Sequence, residues 1–182
     1  MKIKKRTKQK VSSKKVLLVC VRYILLLGIV FSLPFIYAIL TQPTITPVVS
    51  LLKLMYSDVE VLENTISIDK TTFIEIIPAC IAGSAYLLLI ILNLSIPLST
   101  KKRIYALVFS LAVLFVVNVI RISMLSIWYH EKFSFFNSAH IFLWYILSTV
   151  FVVVIWIATI KIFSIKQVPF YTDINQLIQL RK

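Results

Sequence analysis

The chain lacks a close pair of cysteines. Its two, Cys20 and Cys80, form no CxxC. A thioredoxin-like redox motif and a cysteine-based zinc site therefore have no support. Acidic residues are scarce, seven Asp and Glu against twenty Lys and Arg. None of the seven lies within a long apolar run. A cation inside such a run thus has no carboxylate partner at hand. No metal cluster, cofactor box, internal repeat or low-complexity segment is evident beyond a lysine-rich start. The sequence gives no reason to expect a cofactor or a metal.

What the chain has instead is hydrophobicity. It is 182 residues long and 59% hydrophobic, with mean hydropathy +0.93. That is too apolar for a soluble domain and fits a polytopic membrane protein. The net charge of +13 is uneven. Lys2, Lys4, Lys5, Arg6, Lys8, Lys10, Lys14 and Lys15 crowd the start. Such a cluster ahead of apolar helices sets orientation and meets anionic lipid headgroups. Nucleic acid is not expected as a partner, because almost nothing soluble remains to carry it. The apolar run after the lysines is longer than a signal-peptide core. Leu40-Thr-Gln-Pro43 offers no small-x-small cleavage site, so a retained helix is expected.

Four segments are long enough to span a bilayer, at about 20 residues each. They run roughly from Val16 to Leu40, Ala79 to Pro97, Ile104 to Trp128 and Ala139 to Phe163. The connection after the second carries Lys101, Lys102 and Arg103, and the tail carries Lys161, Lys166, Arg181 and Lys182. The other two connections carry Asp58, Glu60, Glu63, Asp69, Glu75 and Glu131 against fewer lysines. All basic connections then fall on one side, which predicts that both termini are cytoplasmic.

The expected fold class is an all-α membrane protein. A four-helix polytopic bundle would carry a small extracytoplasmic cap between its first and second helices. Residues 1–15 would be a basic cytoplasmic N-terminus and 16–163 a membrane-embedded catalytic domain. The outer cap would cover about 41–78, and 164–182 would be a cytoplasmic tail. Within the cap, Thr46–Tyr56 reads as a short interfacial or re-entrant helix. The alternating segments around Val59, Thr65–Ile68 and Phe73–Ile77 read as a β-hairpin, with Asp69-Lys70 as its turn.

Arg121 is the anomaly. It lies inside the third apolar run, where an arginine costs at least about 2.5–3.5 kcal/mol. It precedes Trp128 by about seven residues, or about 10 Å along the axis. Side chains on this outward-running helix lean toward its N-terminus, away from the nearer water, so snorkelling is awkward. Arg22 leans toward cytoplasmic water and needs no special account. Asn118 is one turn back on the same face as Arg121 and is placed to orient the guanidinium.

Two residues share the level of Arg121. Cys80 follows Pro78 at the start of the second helix, where the dipole favours a thiolate. The bland reading is a small apolar residue in a membrane helix. His140 opens the fourth helix, with Asn137 and Ser138 as expected caps and a neutral imidazole favoured by the helix terminus. A lone interfacial histidine is the bland reading here. His130, in the outer loop, is a weaker candidate, and Cys20 lies at the wrong depth to pair with Cys80. Gly83, Ser84 and Ala85 form a small-residue face that lets neighbouring helices approach. A nucleophile, a general base and an oxyanion-stabilising cation would then lie at one level.

With those residues in view, the chain resembles the archaeosortase/exosortase family of membrane cysteine transpeptidases. The resemblance covers roughly residues 72–160. It is carried by Ile76-Ile-Pro-Ala-Cys-Ile-Ala-Gly-Ser-Ala85, Asn118-Val-Ile-Arg-Ile122 and Ser138-Ala-His140. Ile81 stands where the family often has threonine or serine. The resemblance implies catalysis by Cys80, Arg121 and His140, with Asn118 and Ser84 in support. It implies a partner protein bearing a C-terminal transmembrane sorting signal and a lipid or amine acceptor. The site would face the extracytoplasmic side of the cell membrane.

Two rivals stand beside this reading. One is a non-enzymatic assembly or transport subunit that uses Arg121 to contact a partner or lipid. The other is a thiol oxidoreductase, which the separation of the two cysteines disfavours.

Overall fold

A computed structural model describes residue 24, residues 27–96 and residues 98–165. The basic N-terminus, Cys20, Arg22 and the tail beyond residue 165 lie outside the described residues. The chain is mostly helical, with a small three-stranded sheet. Among the described residues, Leu27–Leu52, Pro78–Ser95 and Thr100–His130 are long and apolar enough to cross a membrane. A fourth span is reached if Phe136–Tyr145 and Ser148–Ile162, bent by 42°, count as one.

Helix α1 (Leu33–Leu52) continues from a 3-10 turn at Val30–Ser32. It absorbs most of the segment expected to be a separate interfacial helix, so that expectation is corrected. Pro43 and Pro47 lie inside α1 without ending it. The reason is tertiary. Thr44, Ile45, Val48, Val49 and Leu52 form one buried helical stripe, and its packing outweighs two missing N–H groups.

Strands β1 (Val59–Leu62), β2 (Thr65–Ile68) and β3 (Thr72–Glu75) pair antiparallel in the order β1-β2-β3. The expected hairpin is there and gains a third strand. Glu63, Asp69 and Lys70 take positive φ at the two tight turns. One face of the sheet, through Val59, Ile66, Ile68 and Ile76, packs on α1 and on Val119 and Ile122.

The second span is broken. Helix α2 (Pro78–Ile81) is a single turn and α3 (Gly83–Ser95) is the main segment. Ala82 between them is left-handed, at φ 60°, a conformation that costs a residue with a Cβ about 1–2 kcal/mol. At the neighbouring Gly83 any Cβ would meet the Tyr37 ring. The close approach of α3 to α1 thus depends on this glycine.

Helix α4 (Thr100–His130) is unbroken. Helix α5 (Phe136–Phe142) passes through a π segment, Leu143–Leu147, into α6 (Ser148–Ile162). A second core joins Tyr86 and Leu89 of α3, Leu114 of α4, and Val152 and Ile155 of α6. The sheet is tied to the end of α4. Thr72 Oγ1 is 2.9 Å from His130 Nδ1, and Asp69 lies 3.5 Å from His130 Nε2. Beside them Tyr56 donates to Glu131 at 2.9 Å.

Candidate active site

Between the sheet and the helices lies a cavity of about 300 Å³. Phe73–Ile77 form one wall, followed by Ala79 and Cys80. Helix α4 supplies Arg121, Ile122, Leu125, Ser126 and Tyr129. The opposite wall is Phe136, His140 and Trp144. Cys80, Arg121 and His140, which the sequence set at one depth, therefore border one space.

The helix break explains how Arg121 is held. A continuous helix would pair the Cys80 and Ile81 carbonyls with N–H groups one turn on. The left-handed Ala82 denies them those partners, and orphan carbonyls in a membrane are costly. Arg121 Nη2 donates to the Cys80 carbonyl at 3.0 Å. Asn118 Nδ2 lies 3.1 Å from the same oxygen and 3.3 Å from the Ile81 carbonyl. Asn118 thus shares an acceptor with Arg121 and does not bond the guanidinium, which corrects the expected contact.

On its other side Arg121 Nη1 donates to Ser148 Oγ at 2.6 Å. Ser148 Oγ in turn donates to the Leu143 carbonyl at 2.9 Å, within the π segment. Hydrogen bonds to a charged group contribute about 1.5–3 kcal/mol each. Two of them match the lower bound of the cost of placing the cation there. Arg121 is only 8% exposed, and its Nε is buried without a hydrogen-bond partner.

Sequence reasoning missed Ser148. The depth argument that singled out Arg121 could have found it, because Ser148 is a hydroxyl two turns along the helix from His140. It also missed the ring stack. His140 lies 5.5 Å from Phe136 and 6.0 Å from Trp144, centroid to centroid, with interplanar angles of 26° and 12°. Phe136, His140 and Trp144 recur at intervals of one helical turn, so this face was legible.

Three local expectations are corrected. Cys80 sits in a one-turn helix, which lacks the aligned peptides that make a substantial dipole. His140 lies inside α5, whose N-cap is Phe135 without a side-chain hydrogen bond. Asn137 and Ser138 are helical residues there, not caps. Ser84 is exposed and is not part of the cavity wall. Of the small-residue face, Gly83 makes the close approach. His130 belongs to the sheet latch described above.

The family described as transmembrane exosortase (Exosortase_EpsH) matches residues 11–159 of this chain. No curated protein and no solved structure matches it.

Proposed function

Because the chain belongs to the transmembrane exosortase family, we propose that it is a membrane-embedded cysteine peptidase or transpeptidase. Its substrates are exported proteins with a C-terminal sorting signal, a transmembrane helix followed by a basic tail. The observation that carries this reading is the shared cavity bordered by Cys80, Arg121 and His140.

In the proposed reaction His140 takes the proton from Cys80, and the thiolate attacks the scissile carbonyl. The carbonyl oxygen becomes an oxyanion, which the Arg121 guanidinium stabilises. Arg121 borders the same cavity as Cys80, and its Nη2 lies 3.0 Å from the Cys80 carbonyl, so its fixed positive charge stands beside the attacking residue. The C–N bond then breaks, and His140 gives the proton to the leaving amine. A thioester on Cys80 remains and the anchor helix departs. An acceptor amine, on a lipid headgroup or another surface molecule, attacks the thioester. Its proton passes to His140 and the Cys80 thiolate leaves. Water in place of the amine gives simple hydrolysis.

Both termini are cytoplasmic in this proposal, and the cavity opens to the outer face. The placement of Lys101, Lys102 and Arg103 away from the sheet supports that orientation. The rival reading, in which Arg121 reaches outward to a partner or lipid, is disfavoured by its burial. The test is co-expression with exported proteins that carry a C-terminal helix and basic tail. Wild type is expected to remove the anchor and Cys80→Ala to leave it in place. Anchor removal by Cys80→Ala would end the proposal.

A further inference from the structure

Strand β3 is an edge strand, paired with β2 on one side alone among the described residues. Its register shows which backbone groups are free. The Ile76 N–H donates to the Asn64 carbonyl at 2.8 Å. Hydrogen-bonded pairs alternate along an antiparallel ladder. Ile66↔Ile74 and Ile68↔Thr72 are therefore of the same bonded type. Ser67↔Phe73 and Thr65↔Glu75 are of the other type. The N–H and C=O groups of Phe73 and Glu75 thus point away from β2.

They point at the cavity. Five consecutive residues, Phe73 to Ile77, line it. A sheet face would contribute every second residue. An uninterrupted run means that the strand presents its edge. The same strand reaches Cys80 through Ile77, which is extended, and the one-turn α2.

We propose that the free edge of β3 seats the substrate as an added strand, parallel to β3, and so delivers the scissile bond to Cys80. This deepens the proposed function and rests on it. The occupant is an extended stretch of polypeptide just before the anchor helix. The direction follows from the shared path. β3 leads into a helix that runs away from the sheet, and the substrate must likewise pass from an outer extended segment into its membrane helix. In a parallel pairing the Glu75 N–H binds one substrate carbonyl, and the Glu75 C=O binds the N–H two residues further on. Main-chain bonds supply affinity and alternate side-chain pockets supply selectivity. An unpaired edge at a cavity is otherwise a hazard that chains cover or blunt.

The test uses the full chain in membranes and two alkylating probes, iodoacetamide and acetyl-Ala-Ala-Ala-Ala chloromethyl ketone. Both can alkylate Cys80, and only the second has a peptide backbone. Glu75→Pro removes an outward N–H, a change tolerated at an edge. It is expected to lower the ratio of peptide-probe rate to iodoacetamide rate at least tenfold. Val61→Pro, on the opposite edge of the sheet, is expected to leave that ratio within twofold. A peptide series, N-methylated one residue at a time, is run on the wild-type chain and needs no folded variant. Methylation at one alternate set of positions should slow the probe tenfold, and at the other set it should not. Equal sensitivity at every position, or at none, would overturn the edge seat while leaving Cys80 as the nucleophile. Failure of wild-type Cys80 to react with either probe would overturn the nucleophile reading, and the seat with it.

Discussion

His130 and His140 stand near the same end of the molecule and are held in opposite ways. His130 is fixed by Thr72 and Asp69 and has the Tyr56 ring at its edge, 4.7 Å away. Among the described residues, no hydrogen bond fixes the His140 ring. It rests between Phe136 and Trp144 with one edge on the cavity. A ring with both nitrogens engaged is a latch. A ring held by stacking, with its nitrogens free, can move a proton. Residue type alone would have ranked the two equally.

The sharpest way to break this comparison is to exchange the roles by mutation. His140→Ala should slow anchor removal about 10²–10⁴-fold, the range for losing a general acid–base, with thermal unfolding in detergent little changed. His130→Ala should leave turnover within a few-fold and lower stability by about 1 kcal/mol, as for one hydrogen bond. The reverse pattern would transfer the chemistry to the latch.

A second comparison concerns the cation. Arg121→Lys keeps the charge but cannot span Ser148 and the Cys80 carbonyl with one planar fork. Turnover, measured by maturation of a co-expressed substrate, should fall about 10²–10³-fold, while the amount of protein in the membrane fraction stays unchanged. Activity near wild type would make Arg121 a structural cap of the broken helix only.

Smaller effects sharpen the picture. Ser148→Ala leaves the Arg121 Nη1 bond unmade and should cost about 1–3 kcal/mol in detergent unfolding. Its effect on turnover should be smaller than that of Arg121→Lys. Ala82→Gly should raise stability by about 1 kcal/mol, since glycine takes the left-handed turn without strain. A destabilised Ala82→Gly protein would mean that the methyl group packs at the break.

These residues also show what the sequence could and could not convey. Cys80, Arg121 and His140 were legible because depth in a membrane follows from span boundaries and rise per residue. The hairpin was legible from alternation and the Asp69-Lys70 turn. The break at Ala82 was not, because alanine is a good helix former and nothing local marks a left-handed turn there. The π segment at Leu143–Leu147 carries no local signal either. Both breaks are fixed by tertiary contacts, through Arg121, Asn118 and Ser148. The end of the first helix erred in the other direction. The first span was expected to end near Leu40, and the buried stripe of α1 carries the helix on through both prolines to Leu52. For His140 the helix-terminus argument is the part that fails, since the residue lies inside α5.

The most direct measurement is the labelling rate of Cys80 by a membrane-impermeant maleimide added from outside the cell. Rapid labelling in wild type, slowed in both Arg121→Ala and His140→Ala, is the predicted result. Labelling that ignores both substitutions would show that the three groups share a cavity without sharing chemistry.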